Sequence, residues 1–94
     1  MATQLHVELV AVEQEVWSGE VEMVSARTTE GELGILAHHA PLLGQLAEPG
    51  NVKLKIDEER TLEYEVAGGF LSVTDAGVTI LAESCEPVGS EFAS

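Results

Sequence analysis

The feature that most constrains this chain is a period of two in its apolar residues. In "LHVELVAV", Leu5 to Val12, the side chains of Leu5, Val7, Leu9 and Ala11 fall on one face of an extended strand. "NVKLKI" places Val52, Leu54 and Ile56 inside and turns Lys53 and Lys55 to water. "TLEYEV" repeats the alternation, with Leu62, Tyr64 and Val66 inside and Glu63 and Glu65 outside. "FLSVT" and "VTILA" follow, separated by the turn signal Asp75-Ala76-Gly77, and Ser18-Gly19 reads as another hairpin break. No window of about a dozen residues carries a helical i, i+3, i+4, i+7 stripe free of Gly or Pro. The pattern predicts an all-β chain of about ten short strands, an antiparallel β-sandwich or flattened barrel.

Some strands are apolar on both faces, among them "LVAV" and "VTILA". A sheet wetted on one side alternates cleanly, so one outer face of the sandwich is expected to be covered. In a chain of 94 residues, which supports one core and therefore one domain, that cover is expected to be another protein. Residues 1–88 are assigned to the sandwich. The tail Gly89 to Ser94, "GSEFAS", is small, polar and patternless, and its residue pairs are ones cloning sites commonly encode. It is expected to be a disordered or appended tail, with the natural chain continuing past Val88.

Charge narrows the partners. Seventeen acidic residues against four basic ones give a net charge of −13, which disfavours nucleic acid and anionic lipid. No apolar run approaches the roughly 18 residues of a membrane span. The single cysteine, Cys85, precludes an internal disulfide and fits a reducing compartment.

Chemistry is sparse. His38 and His39 are neighbours, and neighbouring side chains of an extended chain point to opposite faces, so they do not share one ion. No serine sits in a Gly-x-Ser-x-Gly elbow, and the acidic stretch before Cys85 raises the thiol's pKa rather than lowering it. Gly31 to Gly34 and Gly68-Gly69 are too short for a dinucleotide fingerprint, and Glu30 and Glu32 put negative charge where a phosphate would sit. No catalytic residue, metal ligand or cofactor is assigned. What remains is "GELGILAHHAPLL", Gly31 to Leu43, read as a loop bracketed by Gly31 and Gly34 with Pro41 at its exit. Two readings of it stand at this point: an ordinary connection that buries its leucines, or a loop shaped for a partner.

The stretches "WSGEVEMVSARTTEGELGILAHHAPLLGQL" and "VAGGFLSVTDAGVTILAES" resemble the N-terminal domain of the ATP synthase epsilon subunit. The likeness runs in order and spacing from about residue 4 to 84. It includes Ser18-Gly19 as a hairpin, Gly31 to Ile35, His39 to Leu42, Gly68 to Val73 and Val78 to Ala82, with a lean toward actinobacterial members. Ala37 and His38 depart from the pattern, and the family's C-terminal helical pair has no counterpart after Ser84. The resemblance implies a β-sandwich of about ten strands and a non-catalytic rotor subunit of a proton-translocating F-type ATP synthase. Its implied partners are gamma and the c-ring, contacted through Glu30, Gly31, Glu32, His38, His39, Pro41, Leu42 and Leu43. Glu32 is expected to face the polar loops of the c-ring and His39 to lie near gamma. The implied location is the cytoplasmic face of the bacterial cell membrane, peripherally, with no nucleotide held by this domain. The competing class is a stand-alone β-sandwich binding or carrier module, or a small hydrolase built on one.

Overall fold

The computed structural model describes residues 4–12, 14–37 and 40–88. His38, His39 and the tail 89–94 lie outside the described residues. Ten strands form among them: β1 (Leu5–Ala11), β2 (Gln14–Val21), β3 (Met23–Thr28), β4 (Gly31–Leu36), β5 (Leu42–Gln45), β6 (Gly50–Lys55), β7 (Thr61–Val66), β8 (Gly69–Thr74), β9 (Gly77–Ala82) and β10 (Cys85–Pro87). They make two five-stranded sheets, sheet A in the order β2-β1-β9-β8-β5 and sheet B in the order β10-β7-β6-β3-β4. The all-β sandwich expected from the alternation is the observed architecture. One pairing departs from a wholly antiparallel arrangement: β1 and β9 run parallel, Val7 beside Val78 and Leu9 beside Ile80. Strands so distant in sequence need no hairpin between them, so either direction is open.

The inner faces follow the period of two. Leu5, Val7 and Leu9 of β1, Val52 and Leu54 of β6, and Val78, Ile80 and Ala82 of β9 are buried. They meet Val24, Ala26, Ile35, Leu46, Leu71 and Val73 in one core. No polar or charged side chain is buried among the described residues, so the two inner faces form a dry aliphatic layer. Ile56, Leu62 and Tyr64 close its margin, half-buried. The two sheets are stitched at corners. The Ala47 N–H reaches the Arg27 carbonyl (3.0 Å) and the Thr29 N–H that of Gln45 (2.9 Å) around the Thr28–Leu46 bridge, while the Leu46 amide, donating to the Gly69 carbonyl (2.9 Å), continues the β5–β8 ladder.

Two glycine readings are corrected by the structure. Ser18-Gly19 is not a hairpin: both residues lie inside β2, paired with Glu8 and Val7 of β1. A Cβ on Gly19 would stand 2.8 Å from the indole of Trp17, so the glycine makes room for the ring. The irregularity in this pair falls between Leu9 and Val10, where Val16 is the extra residue of a bulge. The chain leaves sheet A for sheet B at Glu22. The second correction concerns Gly31 to Leu36, which is a strand rather than a loop. It pairs with β3 over six positions from Thr28–Gly31 to Met23–Leu36, and the turn is confined to Thr29 and Glu30. By contrast Asp75-Ala76 is the two-residue turn the sequence predicts, closed by the Thr74–Gly77 pair. Gly69, at φ +120, is required twice over, since a Cβ there would collide with the carbonyl oxygen of Leu81.

Candidate functional site: two unlike outer faces

The described residues among those expected to meet partners do not form one patch, because β4 belongs to sheet B and β5 to sheet A. Glu30, Gly31 and Glu32 stay together at the β3–β4 hairpin. There the Thr28 hydroxyl donates to the Gly31 carbonyl (2.7 Å) and accepts from the Glu30 N–H (3.1 Å), which fixes the turn. Glu32 is exposed, opposite Arg27 on the outer face of sheet B. The two line a shallow groove with Asn51, Glu63 and Glu65. Asn51 Nδ2 donates to Glu63 Oε2 at 2.9 Å.

Pro41, Leu42 and Leu43 belong to the edge of sheet A. Adjacent strand residues point oppositely. Leu42 packs inward against the core, while Leu43 stands outward, 71% exposed.

On that outer face a row of apolar side chains crosses three strands. Val10 of β1 pairs with Leu81 of β9, and Leu81 pairs with Phe70 of β8. Leu81 is 47% and Phe70 52% exposed. Leu43 lies diagonal to Phe70, two positions along the β5–β8 ladder, where Gln45 is the residue directly opposite Phe70. The named site residues did not include Val10, Phe70 or Leu81. Their signal was the two-faced pattern of "LVAV" and "VTILA", which marks an apolar outer side on strands that do carry one.

Charge separates the faces further. The outward positions of sheet A hold Glu8, Glu15, Glu20 and His6 but no Lys or Arg. His6 stands between two carboxylates, Nε2 at 3.6 Å from Glu8 and Nδ1 at 3.6 Å from Glu20. Three of the four basic residues, Arg27, Lys53 and Lys55, lie on the outer face of sheet B. The fourth, Arg60, sits in the β6–β7 turn at 3.6 Å from Asp57. In that turn the Glu59 backbone N–H, followed by Arg60, holds the Asp57 carboxyl below its ordinary value.

Nucleophilic chemistry gains nothing from this geometry. Burial, and then the charge of Glu86, push the Cys85 thiol up, so it stays protonated at neutral pH. The arrangement is that of a docking subunit, a small sandwich with one outer face carrying an apolar row among acidic residues and the other of mixed charge.

The comparisons agree. The ATP synthase, Delta/Epsilon chain, beta-sandwich domain family matches residues 4–88. The chain is 51% identical over 83 residues to the ATP synthase epsilon chain of Mycobacterium marinum, covering 88% of this chain and 69% of that one. It is 57% identical over 84 residues to the epsilon chain of Rhodococcus erythropolis, covering 88% and 68%. Among solved structures it is similar to a chain of the Euglena gracilis mitochondrial ATP synthase assembly of OSCP, F1 and c-ring. That match has a TM-score of 0.83 and 28% identity, and covers 93% of this chain and 55% of that one. A chain of the Tetrahymena thermophila central stalk and c-ring shares the fold at a TM-score of 0.73 and 20% identity, over 90% and 67%. The chain belongs to the ATP synthase epsilon family. Its role is that of a stalk subunit associated with the ATP synthase complex, and it is not the catalytic one.

Proposed function

We propose that this sandwich sits at the foot of the rotor on the cytoplasmic side of the bacterial membrane, joining gamma to the c-ring. Sheet A takes gamma and the β3–β4 hairpin meets the loops of the ring. The observation that carries this reading is the apolar row Val10, Leu81 and Phe70 with Leu43 beside it, on a face without a Lys or Arg. A solvated strand surface has no use for three such side chains in register with a fourth diagonal to them. As an interface they supply the desolvated centre, and Glu8, Glu15 and Glu20 a charged rim. Pro41 and Leu43 belong to the same docking end in this reading, while Glu30 and Glu32 serve the ring.

The domain acts mechanically, keeping gamma and the ring in step as protons drive rotation. Neither catalysis nor a bound nucleotide enters the role. The test is assembly. A gamma subunit from a related actinobacterial enzyme should be retained by this chain and released when Phe70 and Leu81 are both changed to Ser. Retention by the doubly substituted chain at wild-type strength would reject sheet A as the gamma face. For the hairpin, Glu32→Lys should weaken coupled proton pumping more than Glu32→Gln, because it reverses the sign of the charge. The difference should shrink as salt rises, the pair being exposed and worth about 0.2–1 kcal/mol.

A further inference from the structure

Four strands form the edges of the two sheets, and three of them carry a feature that limits further pairing. β2 is interrupted by the bulge at Val16 and bears Glu15 and Glu20. β5 has four residues and follows Pro41, and β10 has three and ends at Pro87. Short strands, bulges, charges and prolines are the usual guards of an edge. β4 has none of these beyond Glu32. It runs for six residues in unbroken register with β3, reading Gly-Glu-Leu-Gly-Ile-Leu.

The direction of its backbone follows from bonds on the far side of β3. The Arg27 carbonyl and the Thr29 N–H face Ala47 and Gln45, away from β4. Strand residues alternate sides, so Val24, Ala26 and Thr28 turn their main-chain groups toward β4 and meet Ile35, Leu33 and Gly31. The N–H and C=O groups of Glu32, Gly34 and Leu36 therefore point outward. Among the described residues they have no backbone partner.

Gly34 adds a second, independent observation. It does not occupy the left-handed region, and a Cβ there would meet nothing within 4 Å. Neither space nor backbone demands glycine in the isolated domain, although glycine weakens a strand. The open room lies on the outer face of sheet B, where a large side chain of a strand paired alongside can lie across the glycine.

We propose that β4 is a strand-addition edge, on which an extended segment of a neighbouring subunit pairs main chain to main chain. The occupant is a different polypeptide rather than a second copy, because two chains of net charge −13 repel. Its chemistry is set by the side chains it would lie beside: a basic residue next to Glu32, a large one over Gly34 and an apolar one next to Leu36, which is 59% exposed. This rests on the reading of the β3–β4 hairpin as a rotor contact and gives that contact a backbone component.

The test is residue-resolved amide exchange on the chain alone and in the assembled ATP synthase. Leu33 and Ile35 should be protected in both states by their bonds to β3. Glu32, Gly34 and Leu36 should exchange freely alone and slow by about tenfold or more on assembly. Free exchange at all three in the complex overturns the proposal. Protection that instead appears in the isolated chain as its concentration rises overturns the choice of occupant. Gly34→Pro, which removes one outward N–H and leaves the bonds of Leu33 and Ile35 to β3 in place, should abolish protection at Glu32 and Leu36 while Leu33 and Ile35 stay protected. Wild-type protection in that variant also counts against strand addition. Impaired pumping in Glu32→Lys with unprotected edge amides would leave the hairpin contact standing and remove only the strand pairing.

Discussion

Truncating Phe70 to Ala should separate docking from folding. Phe70 stands on the outer face of sheet A with 52% of its surface open, so its contribution to the core is small. A phenylalanine side chain buries about 150–250 Å² when fully covered. Covering the open half removes roughly 100 Å² from water, which at about 25 cal/mol per Å² is close to 2.5 kcal/mol. That corresponds to a loss of affinity for gamma of about 50–100-fold, with Leu81→Ala giving somewhat less. Because Phe70 and Leu81 are direct cross-strand partners, the double substitution should cost other than the sum of the single ones. Calorimetric titration of gamma into each variant, with thermal unfolding of the free chain alongside, reads both quantities. If Phe70→Ala binds gamma like the wild type while remaining folded, the row is not the interface centre and the reasoning from exposed area fails.

Three further outcomes test the packing. Leu54→Ala or Ile80→Ala, each removing a fully buried side chain from the layer between the sheets, should lower stability by about 2–5 kcal/mol in chemical denaturation. Gly19→Val should displace the indole of Trp17, the only tryptophan, so its fluorescence should shift to the red at lower denaturant than in wild type. Cys85, whose folded-state pKa is raised by burial, favours folding in its protonated form. That contribution is complete below the unfolded thiol's pKa and disappears as pH rises through the higher folded value. Stability should therefore decline across this alkaline window, and Cys85→Ala should flatten the decline.

Much of the fold was legible because alternation reports which side of a strand is dry. Leu5, Val7 and Leu9, like Val52 and Leu54, could be placed inward from their spacing alone. The failures share a cause. Glycine reads as punctuation along the chain, but Gly19 serves a neighbour two residues away, and Gly34 lies mid-strand where neither a turn nor crowding calls for it. Local chemistry distinguishes a glycine needed for a turn from one needed for room only when the surroundings are known. The candidate site was legible in part for a similar reason. That "VTILA" has an apolar outer side is written along the chain, whereas the alignment of Leu81 with Phe70 and Val10 is a matter of register between strands from opposite ends of it. The segment Gly31 to Leu43 looked continuous in sequence and is divided between two sheets in space.

The parallel pairing of β1 with β9 has a consequence for synthesis. β1 leaves the ribosome well before its inner neighbour in sheet A, which is made some 70 residues later. Until then β2 is the only strand partner the nascent chain can offer β1, and a two-stranded hairpin alone is marginal in water. Closure of the sandwich is therefore deferred until translation of residues 77–82, and contacts so distant along the chain form slowly. Through that interval the aliphatic face of β1 is exposed to whatever else the cell holds, and the early chain is a natural client for a chaperone.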